Sequence, residues 1–273
     1  MPRGSCLLRH AVLASSCLLM ALPFIWMVWM SLLAPGEASR AVFSFDASGY
    51  AIAANYTAAL TKAPLPRFLL NGVIVCSLTV LLQIAVAAPL AFALAKLQVR
   101  SRRLLLTLVM IGILIPREVV AAPMFFLCYG LGILDTYAAL ILPGLISPLA
   151  VFLLYQVFRT VPDDLLHAAR VDGLGPWASL WHVMLPMARP TLAAFAILSV
   201  VARWNDLFWP TIAVTSIDLM PPPLGIMAFR DEEAGTDYGP LMAAAVIVVA
   251  PLVIAFLLAQ RRFIDSFSAA GGR

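Results

Sequence analysis

Apolar runs long enough to cross a bilayer recur along this chain, at about residues 11–33, 68–95, 104–129, 137–158, 191–213 and 240–260. In hydrocarbon every backbone N–H and C=O needs an internal partner, so a spanning segment is either a helix or a strand of a closed barrel. Uninterrupted runs of this length select the helix. The expected fold is therefore all-α, with six transmembrane helices. Composition agrees: 63% of the 273 residues are hydrophobic, 12% are charged and the mean hydropathy is +0.97, which excludes an ordinary soluble domain.

The N-terminus carries a competing signal. Arg3 and Arg9 ahead of an apolar stretch resemble a signal peptide, and Cys17 after Ala14-Ser15-Ser16 weakly resembles a lipoprotein cleavage site. The apolar run continues through Leu18 to Leu33, so an uncleaved first span is expected.

The formal charge of +4 does not point to nucleic acid, because the basic residues flank apolar runs. Arg3, Arg9, Lys96, Arg100, Arg102, Arg103, Arg159, Arg170, Arg189, Arg261 and Arg262 all fall on one side. By the positive-inside rule that side is cytoplasmic, with both termini on it. The opposite loops carry Arg40, Lys62, Arg67 and Arg230 against Glu37, Asp46, Asp135, Asp218, Asp231, Glu232, Glu233 and Asp237. Cys6, Cys17, Cys76 and Cys128 show no C-x-x-C spacing and read as small core residues rather than metal or redox groups. Pro89, Pro116, Pro123, Pro143, Pro148, Pro210 and Pro251 fall within or at the ends of spans, where membrane helices tolerate kinks. Solenoid repeats, low-complexity tracts and a paired pattern of broken spans are not evident.

One long cytoplasmic loop, residues 159–190, carries helix signals. Pro162 suits a first helical position, Asp163 and Asp164 complement the positive helix start, Arg170 the negative end, and Gly173 is a C-terminal cap. Leu165, Leu166 and Ala169 give this short helix a narrow apolar face suited to docking on another protein. A second helix is expected from Pro176 to just before Pro186, with Trp177 and Trp181 on one face.

These residues resemble the loop of binding-protein-dependent ABC permeases, read as E-A-A, three residues, G, nine residues, then I-x-L-P. Here His167-Ala168-Ala169 precedes Gly173 by three residues, and Val183-Met184-Leu185-Pro186 follows nine residues later, with His in place of Glu and Val in place of Ile. The stretches "VPDDLLHAARVDGLG", "LGILDTYAALILP", "WNDLFWP" and "YGPLMAAAVIVVAPLVIAFLLAQRRFI" are similar to the carbohydrate-uptake branch, of the maltose and glycerol-phosphate type.

The resemblance implies a type I importer permease, translocating a sugar, polyol, oligosaccharide or glycerol phosphate across a bacterial inner membrane. It implies a second permease subunit, two ATPase subunits that bind the ATP, and a periplasmic or lipid-anchored substrate-binding protein. The chain itself would need no cofactor. Residues 1–67 would form the first span and a periplasmic loop, 68–264 the permease domain, and 265–273 a cytoplasmic tail. In this family the first loop helix docks in a cleft of the ATPase, which assigns Asp164, His167, Ala168, Ala169, Asp172, Gly173 and Pro186 to coupling. An ion pair made by the usual Glu would be absent or replaced at His167.

Charges at membrane depth are costly and mark functional candidates. Arg117 and Glu118 follow Pro116, and Arg203, Trp204, Asn205 and Asp206 stand in the fifth run. Both groups lie about 18–20 Å from the cytoplasmic start of their runs at the helical rise per residue, so they share a layer. Two readings are open: the layer lines a translocation path, or Arg117 or Glu118 pairs with Asp206 or Arg203 to lock helices together. Trp204 and Trp209 either stack on sugar rings or anchor at the interface.

Catalysis in this chain is not expected. A G-x-x-x-x-G-K-[ST] loop is absent, since the lysines Lys62 and Lys96 are followed by Ala and Leu, and neither H-E-x-x-H nor G-x-S-x-G occurs. The rival readings are an ion-coupled secondary transporter using the intramembrane acids, and an intramembrane enzyme.

Overall fold

The computed structural model describes residues 3–34, 49–229 and 237–271, with side chains between residues 9 and 258. Of the orientation signals, Glu37, Arg40, Asp46, Arg230, Asp231, Glu232 and Glu233 lie outside the described residues, as do the side chains of Arg3, Cys6, Arg261 and Arg262.

The described residues are helical, with no strand and a single isolated bridge between Leu33 and Tyr50. In order the helices are α1 (Arg3–Met30), α2 (Ile52–Thr61), α3 (Leu65–Lys96), α4 (Arg102–Leu114), α5 (Ala121–Gly130), α6 (Tyr137–Ile141) and α7 (Pro148–Thr160). Then follow α8 (Asp163–Val171), α9 (Pro176–Ser179), α10 (Leu185–Met187), α11 (Arg189–Trp204), α12 (Phe208–Ala213), α13 (Pro222–Ile226) and α14 (Tyr238–Gly271). The helical backbone of α14 thus runs into the segment expected as a tail.

Three helices are each long and apolar enough to cross a membrane: α1, α3 and α14. Two bent pairs also qualify when taken together, Tyr137–Gly144 with Pro148–Thr160 at 43° and Pro176–Met187 with Arg189–Trp204 at 78°, for up to five spans. The run at 104–129 divides instead into α4 and α5, because Pro116 lacks a backbone donor and residues 116–120 leave the helical ladder. The last three apolar runs before α14 are thus all interrupted, which continuous hydropathy does not reveal.

The chain falls into two compact units, one of residues 1–66 with 225–253 and one of 67–224 with 254–273. In the first, Asn55 is fully buried, and its amide donates to the Ser31 carbonyl at 2.9 Å and the Leu33 carbonyl at 2.7 Å, satisfying groups left over past the end of α1. Gly239 opens α14 against this amide: a Cβ there would stand 2.8 Å from Asn55 Oδ1. Residues 9–20 of α1 are exposed along their length, so Cys17 is not the core residue expected, whereas Cys76 and Cys128 are buried.

In the second unit Ala87, Ala88 and Ala91 of α3 share one buried core with Ala150, Val151 and Leu154 of α7. Phe92 and Phe158 close this core edge to face, ring centroids 6.5 Å apart. A second cluster gathers Val75, Cys128, Leu140, Trp209 and Ala213. Beside it Asn71, fully buried, donates to the carbonyls of Asp218 (2.8 Å) and Met220 (3.0 Å) and accepts from the Tyr137 hydroxyl at 2.6 Å. Asp135 takes a left-handed turn (φ 57) and its carboxylate accepts the N–H groups of Ser216 and Thr215. Those two donors, Ser216 foremost, hold the carboxyl below its usual range.

Candidate functional site

Helix α8 is fixed at both ends by local chemistry. Pro162 is extended (ψ 138) and serves as the N-cap, so the helix begins at Asp163, one residue later than expected. The Lys96 ammonium, at the end of α3, donates to the Val161 carbonyl and to Asp163 Oδ1, each at 2.6 Å. That hydrogen bond, with the charge of Lys96, holds the Asp163 carboxyl below the ordinary carboxylate range. At the other end the Gly173 N–H bonds the Arg170 carbonyl (3.0 Å) and the Leu174 N–H the Ala169 carbonyl (2.9 Å), a Schellman closure with Gly173 at φ +81.

A Cβ on Gly173 would meet no atom within 4 Å, so the cost of a side chain there is conformational alone, about 1–2 kcal/mol for an L-residue in the left-handed region. Gly173→Ala is therefore expected to fray the end of α8, read as faster proteolysis around residues 170–176, with Gly173→Asn milder because Asn tolerates that region. Unchanged cleavage in the Ala variant contradicts the capping role.

Two of the three residues of the expected docking face of α8 turn inward, while Leu165 stays 42% exposed. Leu166, 6% exposed, and Ala169 are buried, and Leu166 joins the core of Phe92, Leu154 and Phe158. An amphipathic helix buries its stripe on the first apolar surface within reach, and here the chain's own α3–α7 core is two residues away from the end of α7. The outward face presents Asp164, His167, Ala168 and Val171, the last 87% exposed, with Asp172 and Gly173 beyond it. Ala169 is thus placed apart from the other expected coupling residues. A cavity of about 460 Å³ alongside is lined by Lys96, Arg102, Arg159, His167 and Arg170, with Asp163 its acid. Arg102 and Arg159 both lie over the Tyr155 ring, 5.7 and 5.6 Å from its centroid.

The second loop helix does not stop before Pro186. It passes from α9 through a π turn at Leu180–Met184 into α10 and ends at Ala188, where the chain turns into α11. Proline removes a donor and crowds the carbonyl four residues back; the wider π turn, in which Leu185 N–H bonds Leu180 O, accommodates both. Pro186 is half-buried in this element, Leu180 and Met184 are core, and Trp177 and Trp181 share exposure on the outside.

The three interruptions of the spans meet at one cavity of about 570 Å³. Ile115 and Arg117 come from the first break, Gly144 and Ser147 from the second, and Arg203 and Asp206 from the third. Non-helical backbone at membrane depth is tolerated where it is covered by protein or lines a cavity, which accounts for the convergence. Arg203 Nη1 lies 3.5 Å from Asp206 Oδ2, one turn away, and Asp206 Oδ1 accepts the Trp209 N–H at 3.2 Å. The expected pairing of Arg117 or Glu118 with this group is not formed, and among the described residues neither is in an ion pair. Asp206 is satisfied locally because the chain breaks just after α11 and frees the first turn of α12 for it.

The other candidates separate. Glu118 and Asn205 are exposed away from the cavity, Asn205 donating to the Val201 carbonyl at 2.8 Å. Trp204 is buried against Gly72, so it offers no ring face for stacking and is no interface anchor. Trp209 stands in the cavity wall, its indole N–H donating to the Ala139 carbonyl at 2.8 Å.

Sequence reasoning missed the polar group that ties the breaks together. Gln83, buried mid-way along α3, donates to the Gly144 carbonyl at 2.7 Å and accepts from the Ser199 hydroxyl at 2.6 Å. Gly144 in turn seats the Arg203 guanidinium, which occupies the place a Cβ would take. The available signal was an amide in the middle of an apolar run, which membrane helices place against a partner.

Interrupted helices thus surround a mainly apolar cavity that holds Arg117, Arg203 and Asp206, and a capped helix packs on the core of the same unit. Residues 83–268 match the family of binding-protein-dependent transport system inner membrane components, and the chain belongs to that family. It is 33% identical to the diacetylchitobiose uptake system permease protein NgcG of Streptomyces coelicolor, over 96% of this chain and 87% of that one. It is 34% identical to the arabinooligosaccharides transport system permease protein AraQ of Halalkalibacterium halodurans (74% and 72% covered). Against the sn-glycerol-3-phosphate transport system permease protein UgpE of Shigella flexneri the identity is 33% (74% and 73% covered). A crystal structure of a bacterial ABC transporter that imports the acidic polysaccharide alginate shares the fold, with TM-score 0.84, 20% identity and 96% and 97% coverage. The ion-coupled alternative finds no support in these likenesses.

Proposed function

We propose that this chain is the permease subunit of an ATP-driven importer for a sugar, oligosaccharide or related polyol, working with a second permease subunit, two ATPase subunits that bind and hydrolyse the ATP, and a substrate-binding protein. The observation that carries the reading is that relatives of about a third identity, matched over most of their length, are permease proteins of diacetylchitobiose, arabinooligosaccharide and glycerol-phosphate transport systems. Both termini lie in the cytoplasm on this reading.

The geometry supports a division of labour. Asp164, His167, Ala168, Val171 and Asp172 form the face an ATPase grips, and Leu166 and Ala169 fasten that face to the permease core. A push on α8 reaches Leu180, Met184, Ala188 and Phe195, which belong to the same cluster, and so reaches α11 and the cavity at its far end.

The test is uptake by the complete importer in proteoliposomes. Oligosaccharide uptake is expected to require internal ATP and the binding protein and to survive collapse of the proton gradient. Uptake that persists without ATP and disappears with the gradient overturns the proposal.

A further inference from the structure

We infer that the basic cavity beside α8 binds a phosphate group, and that the group belongs to an anionic phospholipid at the membrane surface. Such a site requires only that the chain spans a bilayer, and it stands apart from the cavity at the three breaks.

The ionisable side chains of this wall are Lys96, Arg102, Arg159, His167 and Arg170, with Asp163 as the one acid. Lys96 holds that carboxylate at 2.6 Å, and among the described residues none of the three arginines is in an ion pair. Helix ends account for part of the excess. Lys96, Arg159 and Arg170 stand in the last turns of α3, α7 and α8, where each terminus carries about half a negative charge. Arg102 has no such reason to be there. It opens α4, at the end that is already positive, and its neighbour Ser101 makes no side-chain cap. A tertiary contact holds it: its Nη2 donates to the Tyr155 hydroxyl at 2.9 Å, and the Arg159 guanidinium lies over the same ring. Two guanidiniums drawn to one ring repel each other, and the wall has no uncommitted carboxylate to offset that.

Lys96 adds a buried donor to this wall. Its side chain is 7% exposed, and its ammonium bonds the Val161 carbonyl and Asp163, which leaves the third N–H without a protein acceptor among the described residues. Position points to lipid. The candidate span α3 ends at Lys96 and the bent pair of 137–160 ends beside Arg159, so the cavity lies where hydrocarbon gives way to headgroups. From Arg102 the exposed side chains of Leu104, Leu108 and Ile111 continue along one side of α4 at i, i+4 and i+7 spacing. A phosphodiester offers the oxygens that guanidinium forks match, and its acyl chains suit such a stripe. Basic pockets between helices at a membrane surface are the form in which membrane proteins hold anionic headgroups. On α8 the cavity side, Asp163, His167 and Arg170, is one position round from Asp164, Ala168 and Val171, so a headgroup leaves the outward side open. Occupied, the cavity ties α8 to the ends of α4 and α7.

The experiment uses the full chain in the complex with which it purifies, in a neutral detergent. A short-chain fluorescent phosphatidylglycerol and its phosphatidylcholine counterpart are titrated in parallel and read by anisotropy. Phosphatidylglycerol is expected to bind more tightly, by about tenfold or more. Arg159→Gln is expected to weaken it about fivefold, the contribution of one basic side chain at a membrane surface. His167→Glu places a carboxylate in the wall and is expected to weaken it at least as much; both residues are exposed, so neither substitution disturbs the core. Arg103→Gln is the control, since Arg103 is exposed at the start of α4 and is not in the wall. Its affinity is expected to equal that of the wild type. Inorganic phosphate is titrated alone to separate the sources: an Arg159-dependent site for it, with no preference between the two lipids, overturns the lipid as the ligand and assigns the site to a soluble anion. Equal binding of both lipids with no phosphate bound overturns the inference and leaves the cavity to an acidic side chain of a partner subunit. An equal loss in Arg103→Gln and Arg159→Gln overturns it in favour of unspecific surface charge. Uptake is not measured, so none of these outcomes depends on the transport reading.

Discussion

Leu166→Lys is expected to abolish ATP-driven uptake while leaving the membrane-embedded part of the chain folded. Leu166 is the pin of α8: it is buried among Phe92, Leu154 and Phe158, and the cavity at its side is lined by Lys96, Arg102, Arg159 and Arg170. An ammonium placed there has no carboxylate to meet except Asp163, which Lys96 already holds at 2.6 Å. The variant therefore confronts a buried, unpaired charge and four like charges together, and α8 is expected to leave the core. Leu166→Ala isolates the packing contribution; loss of a buried Leu side chain costs about 2–5 kcal/mol, and the neighbouring cavity places this site toward the lower value. Val171→Lys is the matched control. Val171 is 87% exposed, so the substitution is expected to leave the protease resistance of the loop unchanged while reducing co-purification of the ATPase. Uptake by the Leu166→Lys importer at the wild-type rate would show that α8 transmits no force.

Gly72→Leu is expected to destabilise the second unit by about 3 kcal/mol, the upper part of the range for overpacking a close-packed interior. A Cβ at this position would fall 2.8 Å from both Cδ and Cγ of Pro222 and 3.1 Å from the Trp204 ring. Neither neighbour yields easily: the pyrrolidine ring is rigid, and Trp204 is buried, with a void of only about 10 Å³ between them. Pro222 opens α13 and Trp204 closes α11, so the collision bears on the break that positions Asp206. A loss of thermal stability in detergent together with a loss of uptake is expected. Pro222→Ala removes the obstructing ring atoms, and the double variant is expected to recover part of the stability lost by Gly72→Leu, a coupling that a double-mutant cycle reads directly. Strict additivity of the two substitutions contradicts the packing argument.

Much of the loop was legible because its information is local. Asp163, Arg170 and Gly173 act on their own helix ends through the dipole and through backbone conformation, and the structure has the helix and the left-handed glycine where those residues require them. The direction of its apolar stripe was not legible. Leu166 and Ala169 announce a buried face, but whether a partner or the chain itself covers it depends on where α3 and α7 stand. The same holds for Pro186, which reads as a helix stop until the π turn ahead of it is seen. In the membrane, Arg117, Arg203 and Asp206 stood out as charges in apolar runs, whereas Gln83, Gly144 and Ser199 did not, because their roles are bonds to backbone that only a broken span exposes.

The amino-acid sequence by itself determined that the chain is helical and crosses a membrane, since apolar length and backbone hydrogen bonding leave no other solution in lipid, and it determined the capped helix in the loop, whose ends are set by residues within a few positions of each other. The tertiary structure alone decided where the helices break, that Arg203 pairs with Asp206 rather than either with Arg117 or Glu118 among the described residues, and which face of α8 stays exposed. Those outcomes depend on groups brought together across more than a hundred residues of chain, as Ser199 is to Gln83, and no periodicity in a single run encodes such a distance.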